Sequence, residues 1–156
     1  MKYNPDKALY LDTNYLAAYL FEMHPNNKLS RLKMVEFLEQ KKTMCVSCLT
    51  LDETLLVIKE TIEKDIPKLK RKSIKTYYEQ FKKAFEMIVE TPVFAIIQFE
   101  NDIKQNVLDV VENIKNYGMQ PRDAFHLALM KDHNLNTIVT NDKKFKGIDW
   151  IYKISF

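Results

Sequence analysis

Three short stretches are largely apolar at successive rather than alternate positions: Ala8-Leu9-Tyr10-Leu11, Met44-Cys45-Val46 and Thr137-Ile138-Val139. A strand with one solvated face alternates, whereas one covered on both faces reads as a continuous apolar run. These stretches therefore predict inner strands of a parallel sheet. Residues 94–99 predict a further strand, with boundaries that overlap a helical pattern. Residues 150–156 alternate more and predict an edge strand closing the sheet.

Helix-period sequence fills the intervals. Leu16, Tyr19, Leu20 and Met23 share a face, as do Leu29, Leu32, Val35 and Leu38. Leu51, Leu55, Ile58 and Ile62 make a third stripe. Ile74, Tyr77, Tyr78, Phe81, Phe85 and Ile88 predict one longer helix, and Ile103, Val107, Val110, Val111 and Ile114 the next. Gly118 suits the end of that helix, and Pro121 the first turn of the one that follows. The β-α-α-β-α order predicts an α/β protein of three layers, α/β/α, around a central, mainly parallel sheet. No domain boundary is visible, so residues 1–156 read as a single domain. The basic segment near Pro67 is the expected exposed loop between two helices.

Composition narrows the class. A chain of 156 residues buries enough surface to fold without disulfides or metal. Apolar residues make up 46% and charged residues 29%, a globular balance. Two glycines and five prolines argue against repeats and long flexible linkers. No apolar run approaches a membrane span, and the start Met-Lys-Tyr-Asn-Pro-Asp-Lys lacks a signal-peptide core, so a soluble cytoplasmic protein is expected. Two cysteines and three histidines do not make a disulfide scaffold or the usual four-ligand zinc site. The net charge of +3 conceals a basic segment at residues 64–75, where Lys64, Lys68, Lys70, Arg71, Lys72 and Lys75 face one acid, Asp65. Such a segment either attracts phosphates or is simply a solvated loop.

The carboxylates carry the chemistry. Asp12 directly follows the first strand and Asp142 the strand ending at Val139, although 130 positions separate the two. Ligands collect beyond the carboxyl ends of strands in an open parallel sheet. Glu53 lies in the first turn after the second strand, and Asp123 in the first turn before the last inner strand. All four can project toward one edge, where mutual repulsion calls for a cation. Oxygen donors favour a hard divalent ion such as Mg²⁺ or Mn²⁺. Each acid equally suits a helix start. Asp12 or Thr13 can N-cap the first helix, and Thr50-Leu51-Asp52-Glu53 fits a capping box in which Glu53 reaches back to the Thr50 amide. Asp123 complements a helix dipole, and Asp142 can cap a short turn through Phe145.

Three stretches resemble the PIN-domain ribonucleases, in particular the toxin-like members of bacterial and archaeal toxin–antitoxin pairs. Leu9-Tyr10-Leu11-Asp12-Thr13-Asn14 is similar to the family's strand followed by D-T-N/S. Ser47-Cys48-Leu49-Thr50-Leu51-Asp52-Glu53 is similar to its S-x-x-T-x-x-E segment. Pro121 to Leu129 (PRDAFHLAL), followed by Ile138 to Phe145 (IVTNDKKF), looks like its R-D-A-x-H-L-A and T-x-D-x-x-F ending. The stretches span the chain in the family's order, while residues 64–118 contribute no motif.

The resemblance implies a PIN-like fold and an endoribonuclease dependent on Mg²⁺ or Mn²⁺, with Asp12, Glu53, Asp123 and Asp142 as its catalytic and metal-binding acids. Asn14 and Thr140 map onto nearby polar residues that hold the acids or a water. Lys68, Lys70, Arg71 and Lys72 would hold flanking phosphates of the RNA. Many relatives carry another acid at the position of Lys144, a departure that reduces the site to four acids, weakens a second metal or sets a cation beside the RNA. The resemblance also implies a homodimer and an antitoxin partner. A housekeeping RNA-processing nuclease, or an inactive scaffold that binds RNA or protein, has the same sequence features.

Other motifs carry less. Cys45-Val46-Ser47-Cys48 has the spacing of a redox pair, but Cys45 lies within an apolar strand. His126 and His133 fit a core helix better than a ligand set, and Tyr77, Tyr78 and Tyr117 fit core stripes better than base-stacking platforms. Two glycines supply no phosphate-binding loop, and no nucleophile-elbow sequence anchors a Ser-His-Asp order.

Overall fold

The computed structural model describes residues 3–156; Met1 and Lys2, which begin the polar N-terminal stretch, lie outside the described residues. Strand β1 (Ala8–Leu11) is buried along its whole length and forms the centre of the sheet. It is followed by α1 (Thr13–Leu20), α2 (Asn27–Glu39), β2 (Thr43–Ser47) and α3 (Cys48–Glu63). A basic connection then leads to α4 (Tyr78–Glu90), β3 (Phe94–Ile97), α5 (Ile103–Tyr117), α6 (Pro121–Asp132), β4 (Thr137–Val139) and β5 (Tyr152–Ile154). The five strands lie in the order β3-β2-β1-β4-β5, and every pairing is parallel. The sheet is thus wholly parallel, with β3 and β5 at its edges.

The pleat of each inner strand feeds two cores. Tyr10, Cys45 and Ile138 pack with Val110 of α5 and Leu127 and Met130 of α6. Leu9, Leu11, Met44, Val46 and Val139 pack on the other face with Tyr15, Met34, Ile58 and Ile88 of α1 to α4. This is why those strands read as unbroken apolar runs, and it produces the three layers. No helix among the described residues is long and apolar enough to cross a membrane.

Chain order makes β1 the switch point: β2 lies on one side and β4 on the other. Their carboxyl ends therefore open onto one edge of the sheet. Gly118 ends α5 in the left-handed conformation (φ 62°), its N–H donating to the Ile114 carbonyl at 2.9 Å. Pro121 then begins α6 at a position where no donor is needed.

Some helical stripes face the other way from their expected side. Met34, Phe37 and Ser30 are the buried residues of α2, whereas Leu29, Leu32, Val35 and Leu38 are exposed. Periodicity finds a stripe but cannot choose between two apolar faces. The buried face is the one whose Met34 and Phe37 join Tyr15 in the core, and the Tyr15 hydroxyl also donates to the Ser30 backbone carbonyl at 2.9 Å. In α5, Val110 is buried but Ile103, Val107 and Val111 are exposed. Met23 lies beyond α1 and is exposed. The helix expected from Ile74 is a 3₁₀ turn over Ile74–Tyr77 leading into α4. Of the three tyrosines assigned to core stripes, Tyr77 is buried, while Tyr78 and Tyr117 are exposed.

Candidate active site

Asp12 ends β1 and N-caps α1, its carboxylate accepting from the Thr13 N–H at 2.8 Å. The Thr140 hydroxyl and the Asn14 amide donate to its other oxygen. Asn14 also donates to Thr140 at 2.8 Å and accepts from the Asn141 N–H at 3.2 Å. Asn14 and Thr140 therefore lace the ends of β1 and β4 together around Asp12. The acid is 7% exposed, and burial pushes its carboxyl above the usual aspartate range. Hydrogen bonds from Thr140 and Thr13 oppose that rise without cancelling it, and the charge of Glu53 adds to it.

Glu53 comes from the second turn of α3. The expected capping box is displaced, because Ser47 N-caps the helix and accepts from the Thr50 N–H at 3.0 Å. Glu53 is thereby free to turn toward α1 and α6. Its Oε2 accepts from the Thr13 hydroxyl at 2.6 Å and lies 3.1 Å from His126 Nε2, while its Oε1 lies 3.5 Å from the Arg122 guanidinium. Burial raises this carboxyl, but the bonds from His126 and Thr13 and the charge of Arg122 outweigh burial and hold it below the usual range.

His126 is a buried positioning residue rather than a free imidazole. An ionised Glu53 only accepts, so Nε2 carries a proton toward it. Nδ1 lies 2.6 Å from the Tyr10 hydroxyl, which is also within 2.9 Å of Ser47 and 3.1 Å of Thr50. Through this contact a polar chain from inside the sheet fixes the ring behind Glu53.

Asp123 projects from the first turn of α6, and Asp142 follows β4 and caps a 3₁₀ turn over Lys143–Phe145. Lys144 stands between them: its ammonium donates to Asp123 at 3.0 Å and lies 3.7 Å from Asp142. The hydrogen bond and charge of Asp123, with those of Asp142, raise the lysine above its ordinary value.

Asp12, Asn14, Glu53, Asp123 and Asp142 line one cleft of about 340 Å³, which Arg122 also borders. Thr140 supports that cleft from behind. Lys68, Lys70, Arg71 and Lys72 do not line it. They sit in the connection between α3 and α4, where Arg71 pairs with Glu63 at 3.5 Å. Among the described residues, no three carboxylate, imidazole or thiol groups are arranged to hold one ion. Arg122 and Lys144 take up the charge that an ion would otherwise neutralise. The donor set still fits a hard divalent cation. It consists of carboxylates, and burial raises Asp12 in the way that a nearby cation reverses.

Thr13, Arg122 and His126 were not recognised as site residues from the sequence, whereas Lys144 was noted there as a departure from the family's acids. A signal existed for two of them: Arg122 and His126 are four apart on α6 and flank Asp123, a spacing that puts both on one helix face.

The PIN domain model matches residues 9–151, a span that includes every residue of the cleft. The chain belongs to the PIN domain family. Among solved structures it is similar to VapBC2 of Rickettsia felis bound to a promoter DNA fragment, at 20% identity over 95% of this chain and 98% of that one (TM-score 0.60). It is also similar to Mycobacterium tuberculosis VapC20, described as a sarcin-ricin loop cleaving toxin, at 12% identity over 92% and 96% (TM-score 0.61). A toxin–antitoxin complex from Klebsiella pneumoniae matches at 22% identity over 94% and 99% (TM-score 0.58). At these identities the likeness is one of PIN fold. No curated protein matches the chain.

Proposed function

We propose that this PIN domain, spanning residues 1–156, is an endoribonuclease dependent on Mg²⁺ or Mn²⁺ and the toxin of a toxin–antitoxin pair. The observation that carries the reading is the meeting of four acids from four parts of the chain in one cleft at the switch point of a parallel sheet. Asp12, Glu53, Asp123 and Asp142 would hold the metal. When bound, the ion offsets the charge of a phosphodiester and makes a coordinated water more acidic. The chain's own residues prepare the site. Asn14 and Thr140 fix Asp12, Thr13 and His126 fix Glu53, and Arg122 supplies a cation at the rim of the cleft.

The Klebsiella pneumoniae structure is described as a toxin–antitoxin complex and VapC20 as a sarcin-ricin loop cleaving toxin, which supports an RNA substrate and an antitoxin partner. The exposed apolar stripes of α2 and α5 support protein partners, a second copy included, since such surface on a soluble domain marks interaction sites. Lys68, Lys70 and Lys72 are exposed and suit flanking phosphates. A cytoplasmic site of action accords with this substrate.

The position of Lys144 between Asp123 and Asp142 favours one second reading, a PIN scaffold that holds RNA without cutting it. Incubation of a mixed RNA pool with Mn²⁺, Mg²⁺ or EDTA separates the two. The nuclease cuts with metal, stops in EDTA, and is silent as Asp12→Asn protein purified identically. Salt-sensitive RNA binding that ignores chelator, without cutting, establishes the scaffold instead.

A further inference from the structure

Behind His126 lies a second concavity, of about 190 Å³, that the acids do not enter. Its lining includes Ile97 and Phe99 at and just beyond the end of β3 and Phe125 and Leu129 of α6, with Ser47, Cys48 and Gln98 among the polar residues. His126 lines it too, while the Nε2 of the same ring lies 3.1 Å from Glu53. One imidazole therefore separates this pocket from the acidic cleft. Phe125 follows Asp123 by two positions and keeps 39% of its surface exposed.

We propose that this pocket is a nucleobase subsite, seating one unpaired base of the RNA strand next to the scissile phosphate. The proposal rests on the nuclease reading above and specifies how its substrate is held. The two concavities divide chemistry as a nucleotide does. The cleft is bordered by acids, Arg122 and Lys144, and suits a phosphate once a cation is present. The pocket carries no Asp, Glu, Lys or Arg and is mainly apolar, which rejects a phosphate but accepts the faces of a planar base. Single-stranded RNA is read through bases turned out onto aromatic side chains and bonded at their edges. Phe99 and Phe125 supply the aromatic surface. The Gln98 amide, which has no side-chain hydrogen bond among the described residues, supplies both a donor and an acceptor for a base edge. The position agrees with topology, since the pocket sits beyond the carboxyl ends of β2 and β3 on the same side of the sheet as Asp12.

The molecule contains its own reporter. Cys48 is exposed in the pocket, whereas Cys45 is buried and its thiol is pushed up to about 12 by burial. Iodoacetamide at neutral pH therefore reads Cys48 alone. The experiment measures its alkylation rate with Ca²⁺, which lets the acidic cleft accept a phosphate, and again in EDTA, using single-stranded hexanucleotides of A, C or U and an abasic hexamer of equal phosphate count. At least one base-bearing strand slows alkylation and the abasic strand does not. Phe125→Ala weakens that protection about five- to hundred-fold, as expected for loss of one base–aromatic stack. Gln98→Ala, a substitution on the exposed rim, changes the order of preference among bases. Equal slowing by the abasic strand, or no slowing by any strand, overturns the subsite. Slowing that grows with protein concentration in the absence of RNA assigns the pocket to a second copy and also overturns it. Because the readout is alkylation of Cys48 and not strand cleavage, failure to cleave RNA would reject the nuclease reading without altering this result.

Discussion

Individual side chains decide how the cleft handles charge. Asp12 and Glu53 are neighbours with opposite shifts, because Asp12 is buried with mostly neutral donors while Glu53 faces Arg122 and His126. A raised carboxyl keeps its proton to higher pH, so the metal-free protein must release that proton when a cation binds. Mg²⁺ affinity is therefore expected to rise with pH through the range just above the usual aspartate value. In carbon-13 NMR, the Asp12 carboxyl should titrate above that range in EDTA and below it with Mg²⁺. Lys144 opposes metal from the other side, since its ammonium lies within 4 Å of two of the four acids. Replacing it with methionine keeps the stem and removes the charge. Lys144→Met should tighten Mn²⁺ binding about tenfold, the scale of one neighbouring charge on a carboxylate's affinity for a cation. An unchanged affinity in calorimetry would mean that the lysine swings clear when metal arrives.

At the level of elements, the sequence was most legible where burial leaves one solution. The runs in β1, β2 and β4 are covered on both faces, so their pattern specified both strand and position. Helices were less so. In α2 the leucine stripe faces solvent because Met34 and Phe37 on the other face join Tyr15 in the core, a choice between two apolar faces that periodicity does not make. The α3–α4 connection was expected from its charge, but its anchor was not. Glu63, at the end of α3, is buried and receives Lys59 at 2.8 Å, the Tyr77 hydroxyl at 2.9 Å and Arg71 at 3.5 Å. The bond from Lys59 leads the causes that hold Glu63 below the usual carboxylate range, ahead of the opposing effect of burial. A depressed acid stabilises the fold above its unfolded value and loses that contribution as pH falls through the folded one. Glu63→Gln should therefore lower the melting temperature at pH 7, with the gap to wild type closing toward pH 3. Gly118 gives a simpler test. Its φ of 62° strains any side chain although nothing lies within 4 Å of an added Cβ. Gly118→Ala should cost about 1 kcal/mol, lowering the melting temperature by about 2–4 °C for a chain of this size.

Across the whole molecule, the candidate site was legible because topology, rather than local sequence, brings its parts together. Asp12 and Asp142 are distant in the chain, yet each follows a strand, and β1 and β4 are neighbours in a parallel sheet. Glu53 and Asp123 enter the same cleft from helices that begin at that edge. The surrounding contacts were less visible, since Thr13, Arg122, His126 and Lys144 act through side-chain directions that spacing alone leaves open. Charge is likewise divided over the molecule: the acids gather at the sheet's edge while Lys68, Lys70 and Lys72 lie in a separate exposed connection. The central claim is that the four acids form one metal site. It is tested most directly by titrating Mn²⁺ into wild type and into Asp12→Asn, Glu53→Gln, Asp123→Asn and Asp142→Asn proteins in a calorimeter. Saturable binding in wild type that weakens about tenfold or more in each variant is the predicted result. Binding that is absent from wild type, or that survives unchanged in Asp12→Asn, would contradict it.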